Sequence, residues 1–290
     1  GPGGYEAAAH AGRMGKRVAL IEQDKLGGAC LNAGCIPAKT FLKSSHLFDE
    51  CRHAGAYGVR IGEAHFDMPA VVDRKNRIVG TLARGVEGLL KRAGVEVIRA
   101  RGHLAGRNAV EADGQRFEAA NILLATGSRP AVPPVPGIED GAVLDSNSVF
   151  ALERVPESVA IVGGGYIGLE FACFFREAGA EVTVFEMLPR VAAGCDADIS
   201  KRLLDLLARA GIRFHLPARV ERVEAGAVVF RDGGGPEQRL RADCVVNAAG
   251  RVPVTEGLGL EEAGVDFGPR GVRASERGQT NVPGIWACGD

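Results

Sequence analysis

Two cysteines, Cys30 and Cys35, stand in the run Gly27-Gly28-Ala29-Cys30-Leu31-Asn32-Ala33-Gly34-Cys35-Ile36-Pro37-Ala38-Lys39, and the run suits a redox-active dithiol. Five steps along a regular helix rise about 7.5 Å and turn roughly 140°, whereas a disulfide needs Cα atoms about 4.4–6.8 Å apart. A regular helix therefore cannot hold both cysteines in a bridge. The chain is expected to bend through Asn32-Ala33-Gly34 and to start its helix near Cys35, with Pro37 in the first turn, where a missing N–H costs nothing. Cys35 then faces the unpaired N–H groups of a helix start, which favour a thiolate able to attack, leave or donate charge. Two other readings stand beside this one. The pair could be unrelated buried cysteines, or half of a zinc site, although no second close Cys/His pair follows. Neither accounts for the glycines and Pro37 around them.

The elements that position this pair must fit in 290 residues, enough for about two domains with full-sized cores. Hydrophobic residues make up 46 % and charged residues 24 %, and a formal net charge of -1 gives no reason to expect nucleic acid or an acidic membrane as partner. No apolar stretch approaches the eighteen or so residues of a membrane span, and the first residues lack the pattern of a secretory signal. The expected setting is the cytoplasm. Seven cysteines scattered along the chain fit a reducing compartment in which one pair is special. The other five (51, 173, 195, 244 and 288) read as packing residues.

An internal repeat supplies the architecture. Residues 1–22 align without a gap on 165–186: Gly1 on Gly165, Gly4 on Gly168, Glu6 on Glu170, Gly15 on Gly179, Val18 on Val182 and Glu22 on Glu186. Each copy runs glycine turn, helix, glycine stop, short apolar strand, then an acid, the plan of a dinucleotide-binding βαβ unit. In the second copy the strand Ser158-Val159-Ala160-Ile161-Val162 enters Gly163-Gly164-Gly165-Tyr166-Ile167-Gly168. Gly163 permits the tight turn, Gly165 lets a pyrophosphate approach the backbone at the helix start, and Gly168 allows close helix–strand packing. Glu186 is placed to accept hydrogen bonds from an adenosine ribose, and its charge favours NAD over NADP, with Arg190 four residues on as the counter-signal. The first copy keeps Gly1, Gly3, Gly4 and Glu22 but lacks the first strand and first glycine, and that strand would lie at the centre of a parallel sheet. Two further apolar strands, 122–124 and 245–247, each run into Gly-x-x-Pro at Gly127 and Gly250. Met68 to Ala93 carries apolar residues at helical spacing and is expected to be a packing helix.

Together these segments resemble the flavin-dependent pyridine nucleotide–disulfide oxidoreductases. The resemblance rests on residues 27–39, Ala-Thr-Gly-Ser-Arg-Pro (125–130), Gly-Gly-Gly-Tyr-Ile-Gly-Leu-Glu (163–170), and the runs 250–261 and 280–290. Leu31, Ile36 and the 250–261 run point to the dihydrolipoamide dehydrogenase branch over the glutathione and mercuric reductase branches. The implied fold class is α/β, with two related Rossmann-like domains, each a parallel sheet with a smaller antiparallel meander. The implied division is an FAD-binding domain (1–147, first strand missing), an NAD-binding domain (148–268) and a return to the first (269–290), with the C-terminal dimerisation domain absent.

The resemblance implies FAD and NAD as cofactors. Gly1, Gly3, Gly4, Glu22, Gly28, Lys39, Gly102, Thr126, Gly127, Ser128 and Asp290 would serve FAD, with Glu22 on its adenosine ribose, Gly102 near its adenine and Asp290 on the ribityl chain. Gly163, Gly165, Tyr166, Ile167, Gly168, Glu170, Glu186, Val220 and Gly250 would serve NAD. Cys30 would exchange with a dihydrolipoyl substrate, free or protein-borne, Cys35 would lie against the flavin, and Lys39 would pair with Glu170. The implied reaction converts dihydrolipoamide and NAD+ to lipoamide and NADH, in a homodimer. Several positions depart from the pattern. Ala29 and Ala38 replace the usual Thr and Ser, and none of the six histidines matches the family's catalytic base, which a C-terminal domain of the partner subunit supplies. A fragment impaired in turnover, or a non-catalytic nucleotide-binding module, is the competing expectation.

Overall fold

A computed structural model describes residues 1–290. The chain forms two compact units, one of 1–36, 77–129 and 251–290, the other of 37–76 and 130–250. Compactness thus groups 37–76 and 130–147 with the second unit and 251–268 with the first, where the sequence division draws 1–147, 148–268 and 269–290. No helix is long and apolar enough to cross a membrane.

In the first unit, α1 (Pro2–Arg13) precedes strand β1 (Ala19–Ile21), which pairs in parallel with β2 (Glu96–Ile98). An antiparallel meander follows, formed by β3 (Gly102–Leu104), β4 (Ala109–Ala112) and β5 (Gln115–Glu118). Strand β6 (Ile122–Leu124) pairs in parallel with β19 (Ile285–Ala287). β7 (Ser128–Pro130) is tied back where the Arg251 guanidinium, at the start of β16 (Arg251–Pro253), donates to Ser128 Oγ and to its carbonyl at 2.8 and 2.6 Å. The short α7 (Leu260–Ala263) and the pair β17 (Phe267–Gly268) and β18 (Gly271–Val272) complete the unit. The β1–β2 and β6–β19 pairs are separate ladders. Two small cores result: Ala8, Ala9, Leu26, Val86 and Leu90 around α1, and Leu104, Ile122, Leu260 and Ile285 around β6.

The second unit carries the complete version. Its parallel sheet has the order β11 (Arg213–His215), β10 (Glu181–Phe185), β9 (Ser158–Val162), β15 (Cys244–Asn247), β8 (Val143–Leu144). Residues 159–162 are all buried, as a central strand covered on both faces requires. A meander of β12 (Ala218–Glu224), β13 (Ala227–Asp232) and β14 (Gln238–Arg241) accompanies the sheet. Phe171, Phe174 and Phe175 of α5 (Tyr166–Glu177) bury with Val159, Ile161, Val182 and Val184, and Phe41 and Phe150 join them. Helix α6 (Ala197–Arg209) lies before β11.

The repeat is visible in the helix ends. Gly15 N and Lys16 N donate to the Gly12 and Ala11 carbonyls, and Gly179 N and Ala180 N donate to those of Arg176 and Phe175, at the same offsets. A left-handed glycine closes both helices, Gly15 at φ +76° and Gly179 at φ +107°. Met68 to Arg92 forms the expected helix, α4, burying Val71, Val86 and Leu90. Leu82, which shares the helical spacing of these apolar residues, is 40 % exposed.

Candidate functional site

The dithiol run folds into two helices that meet at one residue. Helix α2 (Gly28–Ala33) holds Cys30, Gly34 breaks it with φ -143° and ψ -113°, and α3 (Cys35–His53) begins at Cys35. The helix start at Cys35 and the place of Pro37 agree with expectation. The bend differs: Asn32 and Ala33 remain helical and the turn is confined to Gly34. Asn32 explains this, since its side-chain amide donates to the carbonyls of Leu26 and Gly28 at 3.0 and 2.9 Å, holding α2 wound to its last residue. Neither cysteine is in a disulfide; Cys30 is half-buried and Cys35 exposed. Burial, then the charges of Glu6 and Cys30, push the Tyr5 phenol above its usual range, which places Cys30 within electrostatic reach of α1.

The run packs directly on the first glycine turn. Gly28, at φ +65°, approaches so closely that a Cβ there would fall 2.3 Å from Gly1 Cα. Gly1 caps α1 without any side-chain bond; Pro2 has no N–H to offer, and Gly4 N and Tyr5 N both donate to the Gly1 carbonyl at 3.0 Å. Glu22 directly follows β1 and accepts from Asp24 N at 3.0 Å, and a Cβ on Gly102 would touch Ile21 Cγ2 at 3.2 Å. Thr126 Oγ1 donates to the Val254 carbonyl at 2.9 Å, and Val254 N donates back to Gly127 O at 2.8 Å. Asp290 ends the described chain, next to Gly289 at φ +93°.

In the second unit two glycines of the turn, Gly163 and Gly168, have a visible steric reason. Gly163 sits at φ +112°, and a Cβ there would lie 2.3 Å from the Ala248 carbonyl oxygen. A Cβ on Gly168 would lie 2.0 Å from the Gly163 carbonyl oxygen and 3.4 Å from Ala248 Cβ. Gly165, the N-cap of α5, faces open space. The same relation recurs in the first unit, where a Cβ on Gly4 would meet Ala125 Cβ at 3.3 Å. Glu186 is held by Gly164 N and Leu188 N, each donating at 2.7 Å to one carboxylate oxygen. Arg190 does not serve as a 2′-phosphate ligand in this arrangement, because its guanidinium donates to the Ala193 carbonyl at 2.9 Å. Beyond Glu186 lies a cavity of about 280 Å³ lined by Met187, Pro217, Ala218, Arg219, Glu221 and Arg231, with Val220 within the same stretch of chain. An open glycine-capped helix start, a pinned acid and an adjoining cavity fit a dinucleotide's pyrophosphate, ribose and base.

Lys39 and Glu170 meet as expected, Nζ to Oε1 at 2.5 Å, although 131 residues separate them. Lys39 stands four residues beyond Cys35 on α3, one helical turn. Tyr166, exposed at the start of α5, lies 3.6 Å from Cys195 Sγ through its hydroxyl.

Sequence reasoning passed over two residues that shape the turns. Arg251 holds Ser128, and Asn247 donates to the Ala131 carbonyl while accepting from Ala249 N. An asparagine ending the apolar run Val245-Val246 was the available signal for the second.

The remaining cysteines divide. Cys244 is buried, but Cys288 is exposed rather than packed, because it follows β19 on a turn against Gly3 of α1. Burial, reinforced by Glu177 and Glu170, pushes the Cys173 thiol up to about 11. Burial beside Asp243 does the same to Cys244. At about pH 8 such thiols are roughly one part in a thousand thiolate. Iodoacetamide labelling followed by peptide mass mapping should therefore mark Cys35 and Cys288 first and Cys173 and Cys244 last.

Comparison with known proteins agrees with this geometry. The family described as pyridine nucleotide-disulphide oxidoreductase matches residues 1–290. Dihydrolipoyl dehydrogenase of Bacillus subtilis is 37 % identical over 297 residues, which cover the whole chain and 65 % of that relative. The enzyme of the same name from Acholeplasma laidlawii is 38 % identical, with 87 % of its length covered. Among solved structures, the HOCl-induced flavoprotein disulfide reductase RclA of Escherichia coli superposes with a TM-score of 0.85 at 31 % identity, over all of this chain and 64 % of that one. The chain thus spans about two thirds of the length of several relatives it matches. With two glycine-turn units, a dithiol run packed on the first and a match along its full length, this chain belongs to the pyridine nucleotide-disulphide oxidoreductase family.

Proposed function

We propose that this chain carries the dinucleotide-binding and dithiol parts of a flavin-dependent dihydrolipoamide dehydrogenase. The observation that carries the reading is the close approach of Gly28 to Gly1, which sets the Cys30/Cys35 run against the start of α1. Gly1, Gly3, Gly4, Glu22, Gly102, Thr126, Gly127, Ser128 and Asp290 would hold FAD. Gly163, Gly165, Ile167, Gly168, Glu186, Val220 and Gly250 would hold NAD. When bound, FAD supplies a two-electron carrier between thiol and nicotinamide chemistry.

The chain's own residues do the remainder. A substrate thiolate attacks the Cys30 sulfur of the Cys30–Cys35 disulfide and the Cys35 sulfur leaves as thiolate. The second substrate thiol then displaces Cys30, so the substrate becomes a cyclic disulfide and the protein gains a dithiol carrying two electrons. Lys39, paired with Glu170, adds positive charge one turn along the same helix. The full reading includes a homodimer in which a partner subunit supplies the base for the substrate thiol.

Dihydrolipoamide is favoured over glutathione or mercuric ion by Leu31 and Ile36, and by the dihydrolipoyl dehydrogenase relatives. NAD is favoured over NADP by the pinned Glu186 carboxylate and by the engagement of Arg190 elsewhere. Glu186→Ser is expected to weaken NADH binding about tenfold, roughly 1.4 kcal/mol, and to narrow the gap between NADH and NADPH. Fluorescence titration with both cofactors checks this. The reading as a whole is tested by adding FAD and then NADH anaerobically. Bound flavin absorbing near 450 nm that NADH bleaches supports it, whereas colourless protein that still binds NADH supports a nucleotide-binding module.

A further inference from the structure

His215 ends β11 and Asp232 ends β13, and their side chains meet: Nδ1 lies 3.1 and 3.0 Å from the two carboxylate oxygens. A carboxylate only accepts, so Nδ1 carries the hydrogen. The imidazole also lies flat on Phe185, with 5.2 Å between ring centroids and planes 6° apart, and leans on Phe230 at 4.6 Å. Stacking on its face and bonding at its edge fix the ring. Gln238 Nε2 donates to the same carboxylate at 3.2 Å.

The pair closes a backbone frame around Glu186. Glu186 N donates to the His215 carbonyl at 3.0 Å, Ala218 N donates to the Glu186 carbonyl at 2.8 Å, and Gly233 N donates to the Pro217 carbonyl at 2.8 Å. The cavity beside Glu186 takes Pro217, Ala218 and Arg219 from one side of the pair and Arg231, Gly233 and Gly234 from the other. The fold does not demand the pair itself. In the first unit Glu22 N donates to the Ile98 carbonyl as Glu186 N does to that of His215, and Gly102 pairs with Ala112 as Ala218 pairs with Asp232. The two matching positions there are apolar, and the same frame forms. A half-buried polar pair where an apolar one suffices therefore has a reason other than folding.

We infer that His215 and Asp232 are positioning residues for the adenosine end of the dinucleotide. Their bond holds the two walls of the cavity at the separation that admits the adenine, and neither side chain touches it. The inference rests on the NAD reading of this site and deepens it. Without the bond, the turn at Gly233 and Gly234, at φ +52° and +81°, is tied to the Pro217 side by backbone alone and can draw away from it.

Calorimetric titration of the intact chain with NADH, and with ADP-ribose, which is the dinucleotide without its nicotinamide, tests this. His215→Phe keeps a ring for the stack and loses the bond, whereas Asp232→Ala loses the bond and keeps the imidazole. Each is expected to weaken NADH and ADP-ribose by the same factor, about tenfold. Because both remove one interaction, the double variant should weaken them no further. Asp232→Asn keeps an acceptor for Nδ1–H and should hold both affinities within about twofold of the unaltered chain. Unchanged affinities in His215→Phe overturn the inference. So do additive losses in the double variant, failure of Asp232→Asn to preserve binding, or a loss seen with NADH and not with ADP-ribose. An unaltered chain that does not bind NADH overturns the NAD reading, and this inference with it, so the two failures are distinct.

Discussion

Cys35→Ser is expected, under the proposed function, to lower dihydrolipoamide–NAD turnover by about a thousandfold or more while leaving NADH binding within about twofold. The first effect follows because serine cannot close the disulfide through which substrate electrons enter. The second follows because the residues proposed to hold NADH, Gly163, Gly165, Gly168 and Glu186, lie in the other compact unit. Cys30→Ser should be as damaging to turnover, yet the two variants differ in labelling. Cys30→Ser leaves the exposed Cys35 open to iodoacetamide, and Cys35→Ser leaves only half-buried Cys30. Stopped assays with dihydrolipoamide, paired with NADH titration, separate lost chemistry from lost binding. A Cys35→Ser variant that retained turnover would mean that electrons bypass the pair.

The second large effect is at Gly168. Any side chain there meets the Gly163 carbonyl oxygen at 2.0 Å, a backbone atom fixed by the turn after β9, so α5 must lift from the strand. Overpacking of this kind costs about 1–3 kcal/mol, and NADH affinity should fall about a hundredfold, equivalent to about 2.7 kcal/mol. Gly165→Ala is the informative contrast. Its backbone, at φ -76°, suits any residue, and its Cβ would face open space. Folding should be unchanged, while the methyl group intrudes where the pyrophosphate approaches. Thermal melts and NADH titrations should therefore fall together for Gly168→Ala and separately for Gly165→Ala.

How far the sequence could be read differs from element to element, for physical reasons. The path from β9 through Gly163 to α5 was legible because backbone collisions at 163 and 168 admit no side chain, so residue type reports geometry directly. Repetition added to this: Gly4 against Ala125 repeats Gly168 against Ala248, and both helices close on the same pair of bonds. The Lys39–Glu170 pair spans 131 residues and has no local signature, so only the family resemblance could place it.

Some features lay outside local reasoning. Spacing alone required a bend between the cysteines, but not that Asn32 would keep α2 helical and confine the bend to Gly34. Cys288 resembled a packing residue because its strand is apolar, yet it falls just past the last residue of β19 and is exposed. Leu82 fits the helical period of α4 but lies at the margin of the buried stripe, where period alone does not decide exposure.

The most direct test of the dithiol account is thiol mapping during anaerobic reduction. The chain is oxidised mildly, loaded with FAD and treated with NADH, and Cys30 and Cys35 are alkylated and identified by mass spectrometry as the flavin absorbance falls. The account predicts one Cys30–Cys35 disulfide before NADH and two newly alkylated cysteines after it, appearing together. Flavin reduction with the disulfide intact, or oxidation that links either cysteine to a different partner, would contradict it.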